Sequence, residues 1–291
     1  MSDRGAVYDL GYTPYSGERL GRRGAIAATY RDGNYRVLGI KRRARKKILP
    51  WMLAALVVLP AVVFVGFSFL LSSFSPDADS PFANQQQYFG ITATIIFLFV
   101  VLAAPELLIP DRREGVLSIY SSRPLRPDDY VAARSASLLT MVAGFMLLPQ
   151  VLMYIGFSAL DADGFFSAIV SNASEIPKFV AASAVYALAY APLALLISTL
   201  AERKSVATGV YLGTMIIGSS LAALLVDSGT RYAALLGFAE HPTHVVEWIY
   251  GASGETVTQR AGFDPWVAML VIGGVAVASV GIMVWRYRRL M

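Results

Sequence analysis

Lys41-Arg42-Arg43-Ala44-Arg45-Lys46-Lys47 leads through Ile48 into residues 49–71, LPWMLAALVVLPAVVFVGFSFLL. Six cations in seven residues precede twenty-three residues without one ionisable side chain. A helix needs about 20 apolar residues to cross the hydrocarbon core of a bilayer, so 49–71 reads as a membrane span. Lipid excludes the basic run, whereas anionic headgroups attract it, which marks a cytoplasmic start. A cleaved signal peptide has an apolar core of only about 7–15 residues at the extreme N-terminus. Neither condition fits this stretch.

Five further apolar blocks follow at 88–109, 131–157, 177–200, 206–226 and 265–284. With 56% hydrophobic and 15% charged residues, the 291-residue chain holds more apolar surface than a soluble domain can bury. The reading is an all-α integral membrane protein with six transmembrane helices. All but three of the 25 Lys and Arg residues then fall on one side, the exceptions being Lys178, Arg231 and Arg260. The positive-inside rule therefore places both termini in the cytoplasm. Residues 1–48 form a cytoplasmic tail, 49–226 the first five spans, 227–264 an extracytoplasmic interfacial or re-entrant segment, and 265–291 the sixth span with a basic end. Pro60, Pro149 and Pro192 fall inside spans and are expected to bend them. The chain has no cysteine, which excludes disulfides, thiolate metal sites and catalytic thiols.

The most informative loop is Asp111-Arg112-Arg113-Glu114-Gly115-Val116-Leu117-Ser118-Ile119-Tyr120-Ser121-Ser122-Arg123-Pro124. The spacing predicts a short amphipathic helix over 111–123, started by Asp111 with Glu114 as its capping-box partner and stopped by Pro124. Val116, Ile119, Tyr120 and Arg123 share one face at i, i+3, i+4 and i+7. Such a helix can dock into a groove. Pro127-Asp128-Asp129-Tyr130 supplies a turn and cap before the third span. Upstream, Val37, Ile40, Ala44 and Ile48 recur on one helical face, which suggests a second helix lying along the inner leaflet.

From Glu106 through Asp111, Glu114-Gly115, Pro124 and Tyr130 to Arg134, the loop resembles the coupling-helix region of type-two ABC transporter permeases. Tyr8-Asp9-Leu10-Gly11-Tyr12, Tyr15-Ser16-Gly17, Arg19-Leu20-Gly21 and Lys47-Ile48-Leu49-Pro50-Trp51 are similar to a bacterial, actinobacterial-like branch of that family. The resemblance implies a permease subunit in the bacterial plasma membrane, an elbow helix before the first span, and residues 111–123 as the contact to a separate ATP-binding subunit. It also implies a second permease copy or paralogue, and export rather than import. Arg112, Arg113, Arg123 and Arg126 are then the expected polar contacts to the ATPase, with Val116, Ile119 and Tyr120 as the packed face. An arginine here can equally serve only to hold the loop inside.

No Gly-x-x-x-x-Gly-Lys-Ser/Thr loop occurs, so no cofactor is expected in this chain, and ATP and Mg belong on the partner. Membrane lipid is the other expected partner, and nucleic acid is not. Gly209 and Gly213 allow two helix backbones to approach closely, either within the chain or between copies. Glu240, His241, His244 and Glu247 could offer metal ligands, but their spacing is not that of a known site, and a polar edge on a small outer helix is expected, with Trp248 and Tyr250 at headgroup level. Thr92, Thr94, Thr140 and Gln150, with aromatic residues, are candidates to line a cavity for a lipid, peptide, drug or other small amphiphile, among which hydropathy does not choose. A membrane-embedded enzyme would need acid, base or metal groups converging near the membrane, of which the spans offer almost none. A non-transporting anchor or sensor is the other alternative, distinguished by stable isolation without any ATPase.

Overall fold

In a computed structural model the chain describes residues 20–40, 45–74, 85–121 and 124–291. Eleven α-helices lie among them, α1 Gly21–Val37, α2 Arg45–Phe74, α3 Gln85–Arg113, α4 Leu117–Ser121, α5 Pro127–Leu160, α6 Phe165–Ser171, α7 Glu175–Leu200, α8 Lys204–Asp227, α9 His241–Ile249, α10 Val257–Arg260 and α11 Pro265–Leu290. A 3-10 turn spans Arg231–Leu236, and the described residues contain no strand. Six helices, α2, α3, α5, α7, α8 and α11, are long and apolar enough to cross a bilayer. Each contains one of the six apolar blocks and runs beyond it into charged or polar sequence. Helical hydrogen bonding continues where hydropathy stops, because the ladder of bonds from each N–H to the carbonyl four residues back belongs to the backbone and does not need apolar side chains.

The spans are not equivalent. More than half of the apolar window of α3 and of α7 is buried by the rest of the chain, against under a quarter for α2, α8 and α11. Thus α3 and α7 form the centre, α5 packs on both, and α2, α8 and α11 carry the outward apolar surface. Aromatic rings fill the centre, with Phe89 stacked on Tyr186 at 5.9 Å and Phe97 between Tyr190 at 6.0 Å and Tyr211 at 5.5 Å. Close backbone approach occurs where side chains vanish. A Cβ on Gly156 would lie 2.6 Å from Val65 on α2, and one on Gly33 would lie 2.4 Å from the Ser137 hydroxyl on α5. Packing rather than hydrophobicity holds helices together in lipid, and small residues permit it.

One end of the bundle, here the basic end, carries α1, α4, the α7–α8 turn and the C-terminus. The other, the cap end, carries α6, the 3-10 turn, α9 and α10. The 227–264 segment folds into these short helices, and its buried side packs on α7, α8 and α11. His241, His244 and Glu247 face inward, so the polar edge expected there is instead an interior. Trp248 is exposed, while Tyr250 is half-buried against Phe89 with the Lys178 ammonium 5.8 Å above its ring.

Gly209 and Gly213 are not used to pack α8 within the chain. A Cβ at Gly209 would meet nothing within 4 Å, and one at Gly213 only Ile217 of its own helix. The close contact of α8 falls further on, where a Cβ at Gly218 would lie 2.9 Å from the Leu236 carbonyl. Thr92 and Gln150 are buried between helices, whereas Thr94 and Thr140 lie exposed, so these four do not line one cavity.

The cap makes a pH test possible. The His241 ring lies 3.0 Å from the Thr258 hydroxyl and 3.4 Å from the Leu235 carbonyl, and the Glu240 carboxylate accepts the Val257 N–H at 2.7 Å. Burial pulls both His241 and His244 below their ordinary value of 6.5 and pushes the Glu247 carboxyl above its ordinary 4.5. As pH falls through 6.5 the unfolded cap takes up protons that the folded histidines resist, so stability is lost. Glu247 acts in the opposite sense, since its folded carboxyl binds a proton before the unfolded one does. With two histidines against one carboxyl, the protection factors of the α9 amides, with the intrinsic pH dependence of exchange divided out, are expected to fall between pH 7.5 and about 5.5. Replacing both histidines by asparagine should flatten that profile, and an unchanged profile would refute the assignment.

Candidate functional site

The basic end is organised around one buried carboxylate. α3 continues past its apolar part, and its last turn brings Asp111 to a position only 1% exposed. Its Oδ1 accepts from Arg36 Nη1 at 2.5 Å, and its Oδ2 accepts from Arg134 Nη2 and from the Tyr130 hydroxyl, each at 2.8 Å. Asp32 closes the figure, lying 2.8 Å from Arg36 Nε and 2.9 Å from Arg134 Nη2. Two guanidiniums and two carboxylates thus alternate, with no net charge. Arg134 is itself 1% exposed and donates its Nη1 to the Thr29 carbonyl at 3.3 Å. A charge this deep is tolerable only when paired and hydrogen-bonded, and the guanidinium suits the position because its planar fork bonds several acceptors at once.

The surrounding helix ends are tied by further ionic contacts. The Arg112 guanidinium donates to the carbonyls of Ser198, Thr199 and, at 2.7 Å, Ala201, capping the C-terminus of α7 whose last carbonyls lack helical partners. Lys204 reaches Glu106 at 2.7 Å and joins α8 to α3. At the start of α5, Arg126 is the N-cap, its N–H donating to the Asp129 carboxylate at 3.1 Å. Asp129 also takes Arg22 of α1 in a two-pronged contact of 2.7 and 2.8 Å. Asp128 takes Arg288 of α11 in the same way at 2.6 and 2.8 Å. Both acids sit in the first turn, where the helix dipole favours negative charge.

The helix expected over 111–123 is not a single element. α3 runs through Arg113, residues 114–116 turn, and α4 occupies only Leu117–Ser121. Gly115 has φ 68, its N–H donates to the Arg112 carbonyl at 3.4 Å, and the Val116 N–H donates to the Asp111 carbonyl at 3.0 Å. This pair of bonds around a left-handed glycine is the Schellman ending of a helix. Asp111 and Glu114 therefore do not start a helix; they stand at the end of one. On α4, Leu117 is buried and Tyr120 half-buried, while Ile119 turns outward at 55% exposed, so the expected packed face is rotated. Arg113, Glu114 and Arg126 are exposed, and Arg123 lies outside the described residues.

The face shared by Val37, Ile40, Ala44 and Ile48 is corrected likewise. α1 stops at Val37 in a second Schellman ending about Gly39, φ 66, and 41–44 lie outside the described residues. The helix in this tail is instead α1, which carries no apolar stripe and docks on α5 through Arg22, Asp32 and Asn34 and on α3 through Arg36.

No protein-family model and no curated protein matches this chain. Its function is therefore read from geometry. The Tyr120 ring lies 5.7 Å from Tyr130, and Tyr130 lies 5.0 Å from Tyr287 of α11 and beneath the Arg134 guanidinium at 5.5 Å. α4 is thereby linked through three rings to the ionic node and to the ends of α5 and α11. Sequence reasoning singled out Asp111 and Tyr120 but missed Arg36, Asp32 and the central place of Arg134. An arginine inside the 131–157 apolar block was the available signal, since an ionisable residue within a span is by default functional. No group of three or more His, Asp or Glu placed to hold a metal occurs among the described residues.

Proposed function

We propose that this chain is the membrane-spanning subunit of an ATP-driven exporter of the type-two ABC permease kind, working beside a second copy or paralogue. ATP and Mg act on a separate ATPase that grips α4 and the adjoining turn. The observation that carries the reading is a five-residue helix standing between two long spans and joined by Tyr120 to a buried ionic node shared by α1, α3 and α5. A push on Ile119 or Ser118 reaches Tyr130 through ring contact and Asp111 through the Tyr130 hydroxyl. Because packed interfaces switch between discrete arrangements rather than deforming smoothly, such a push favours a concerted shift of span ends. That is what alternating access requires. Resemblance of residues 106–134 to the coupling region supports the same reading, as does the absence of any phosphate-binding loop in this chain.

The test is isolation of the tagged chain in mild detergent with whatever accompanies it. An ABC-type ATPase is expected, and recovery of none would refute the proposal. Gly115→Pro, which forces φ from 68 to about −65°, should break the turn and abolish stimulation of ATP hydrolysis. Tyr120→Ala removes a ring contact worth about 0.5–1.5 kcal/mol and should lower stimulated turnover by up to about tenfold with insertion intact.

A further inference from the structure

At the basic end, the termini of α3, α8 and α11 and the turn before α4 enclose an open cleft of about 1050 Å³. Five cations line it, Arg112, Arg113, Arg203, Lys204 and Arg286, against the single carboxylate of Glu202. Two of the five are already engaged, Arg112 by the α7 carbonyls and Lys204 by Glu106. Arg113, Arg203 and Arg286 form no ion pair with any described residue, and Arg286 Nε is buried without a hydrogen-bond partner. The N-terminus of α8, with Arg203 as N-cap and no side chain bonded to its first amides, opens onto the same space. Three unpaired guanidiniums outweigh the single carboxylate and the negative C-terminal dipole ends of α3 and α11, and with the N-terminus of α8 they set up a field that draws an anion.

The rest of the wall says what kind. Ile109, Leu117 and Leu290 line the cleft beside the cations. From its rim the outward faces of α8 and α11 run along the bundle as exposed apolar surface, including Val206, Val210 and Ile282. Trp285 is exposed beside Arg286, with the Arg289 guanidinium 4.0 Å from its ring, the amphipathic arrangement found at headgroup level. A free phosphate would match the cations and leave the apolar wall unmatched. A phosphate carrying acyl chains matches both.

We propose that this cleft seats the phosphate of an anionic membrane phospholipid, with its chains lying against α8 and α11. The inference rests on these helices lying in a bilayer and not on the exporter reading, so its failure leaves that reading untouched. Since Gly115, Leu117 and Ser118 share the cleft, a bound lipid also buttresses the turn that carries α4.

The experiment uses the full chain in nanodiscs of phosphatidylcholine, titrated with phosphatidylglycerol and, separately, with inorganic phosphate, and read by thermal shift and by native mass spectrometry of retained lipid. Phosphatidylglycerol is expected to raise the melting temperature and to survive as a one-lipid adduct. The triple variant Arg113→Gln, Arg203→Gln, Arg286→Gln should lose roughly a hundredfold in apparent affinity, about fivefold per cation. The matching triple lysine variant should retain most of the binding. If the triple glutamine variant proves unfolded in phosphatidylcholine alone, Arg203→Gln, at an exposed N-cap, should still lose about fivefold. Equal stabilisation by phosphatidylcholine, full reproduction by inorganic phosphate, or unchanged affinity in the glutamine variants would each overturn the proposal.

Discussion

Asp111→Ala is expected to destabilise the chain by about 3 kcal/mol, because it strands Arg134 in the interior and breaks a buried pair by removing one partner. Asp32 still faces both guanidiniums, which sets the effect at the low end of the range for such pairs. The Tyr130 hydroxyl loses its acceptor as well, so α5 loses a second bond to α3 besides that of Arg134. Melting of the detergent-solubilised chain, followed by size-exclusion light scattering, measures this directly. The companion double variant Asp111→Leu, Arg134→Leu should recover a large part of the loss, since replacing both members of a buried pair by apolar residues is often neutral. A single variant as stable as the parent would mean that the node carries no structural weight.

Gly33→Ala should be the next most damaging small change, costing about 1–3 kcal/mol by overpacking. The new methyl would lie 2.4 Å from the Ser137 hydroxyl and 2.8 Å from Ser137 Cβ, an atom fixed to the α5 backbone that cannot swing aside. α1 must therefore lift from α5, straining the Ser137–Asn34 and Arg22–Asp129 contacts on either side. Amide exchange across α1 should accelerate in the variant while the spans remain protected. Ser137→Gly should suppress the defect, whereas Ser137→Ala, which removes the hydroxyl at 2.4 Å but keeps the Cβ at 2.8 Å, should suppress it only in part. A defect that neither substitution relieves would show that the clash is not the cause.

The six spans were legible because bilayer thickness imposes an uninterrupted apolar block, and nothing else in a sequence resembles one. Their true ends lay a few residues further out, where helices continue through Pro110-Asp111-Arg112 or Arg286 after hydropathy has stopped. α1 was illegible for the opposite reason. Its binding to the bundle depends on Arg22, Asp32 and Arg36 meeting partners 75–107 residues away, and no local periodicity encodes such pairs. Asp111 was noticed but misread, since an acid followed three residues later by Glu114 looks like a helix start until the left-handed Gly115 shows it to be a stop. Gly115 itself, followed by Val116, held the correcting signal, because glycine is far commoner just past a helix end than within a short helix.

The adjacent acids at the start of α5 have a mechanical meaning of their own. Asp128 holds Arg288, three residues from the C-terminus, and Asp129 holds Arg22, near the other extremity of the described chain. The two ends of the described chain are thus moored to neighbouring rungs of one helix. Any tilt of that helix swings both moorings together, so spectroscopic labels beside Arg22 and Arg288 would register a single rotation, and cutting either mooring would leave the other to steer alone.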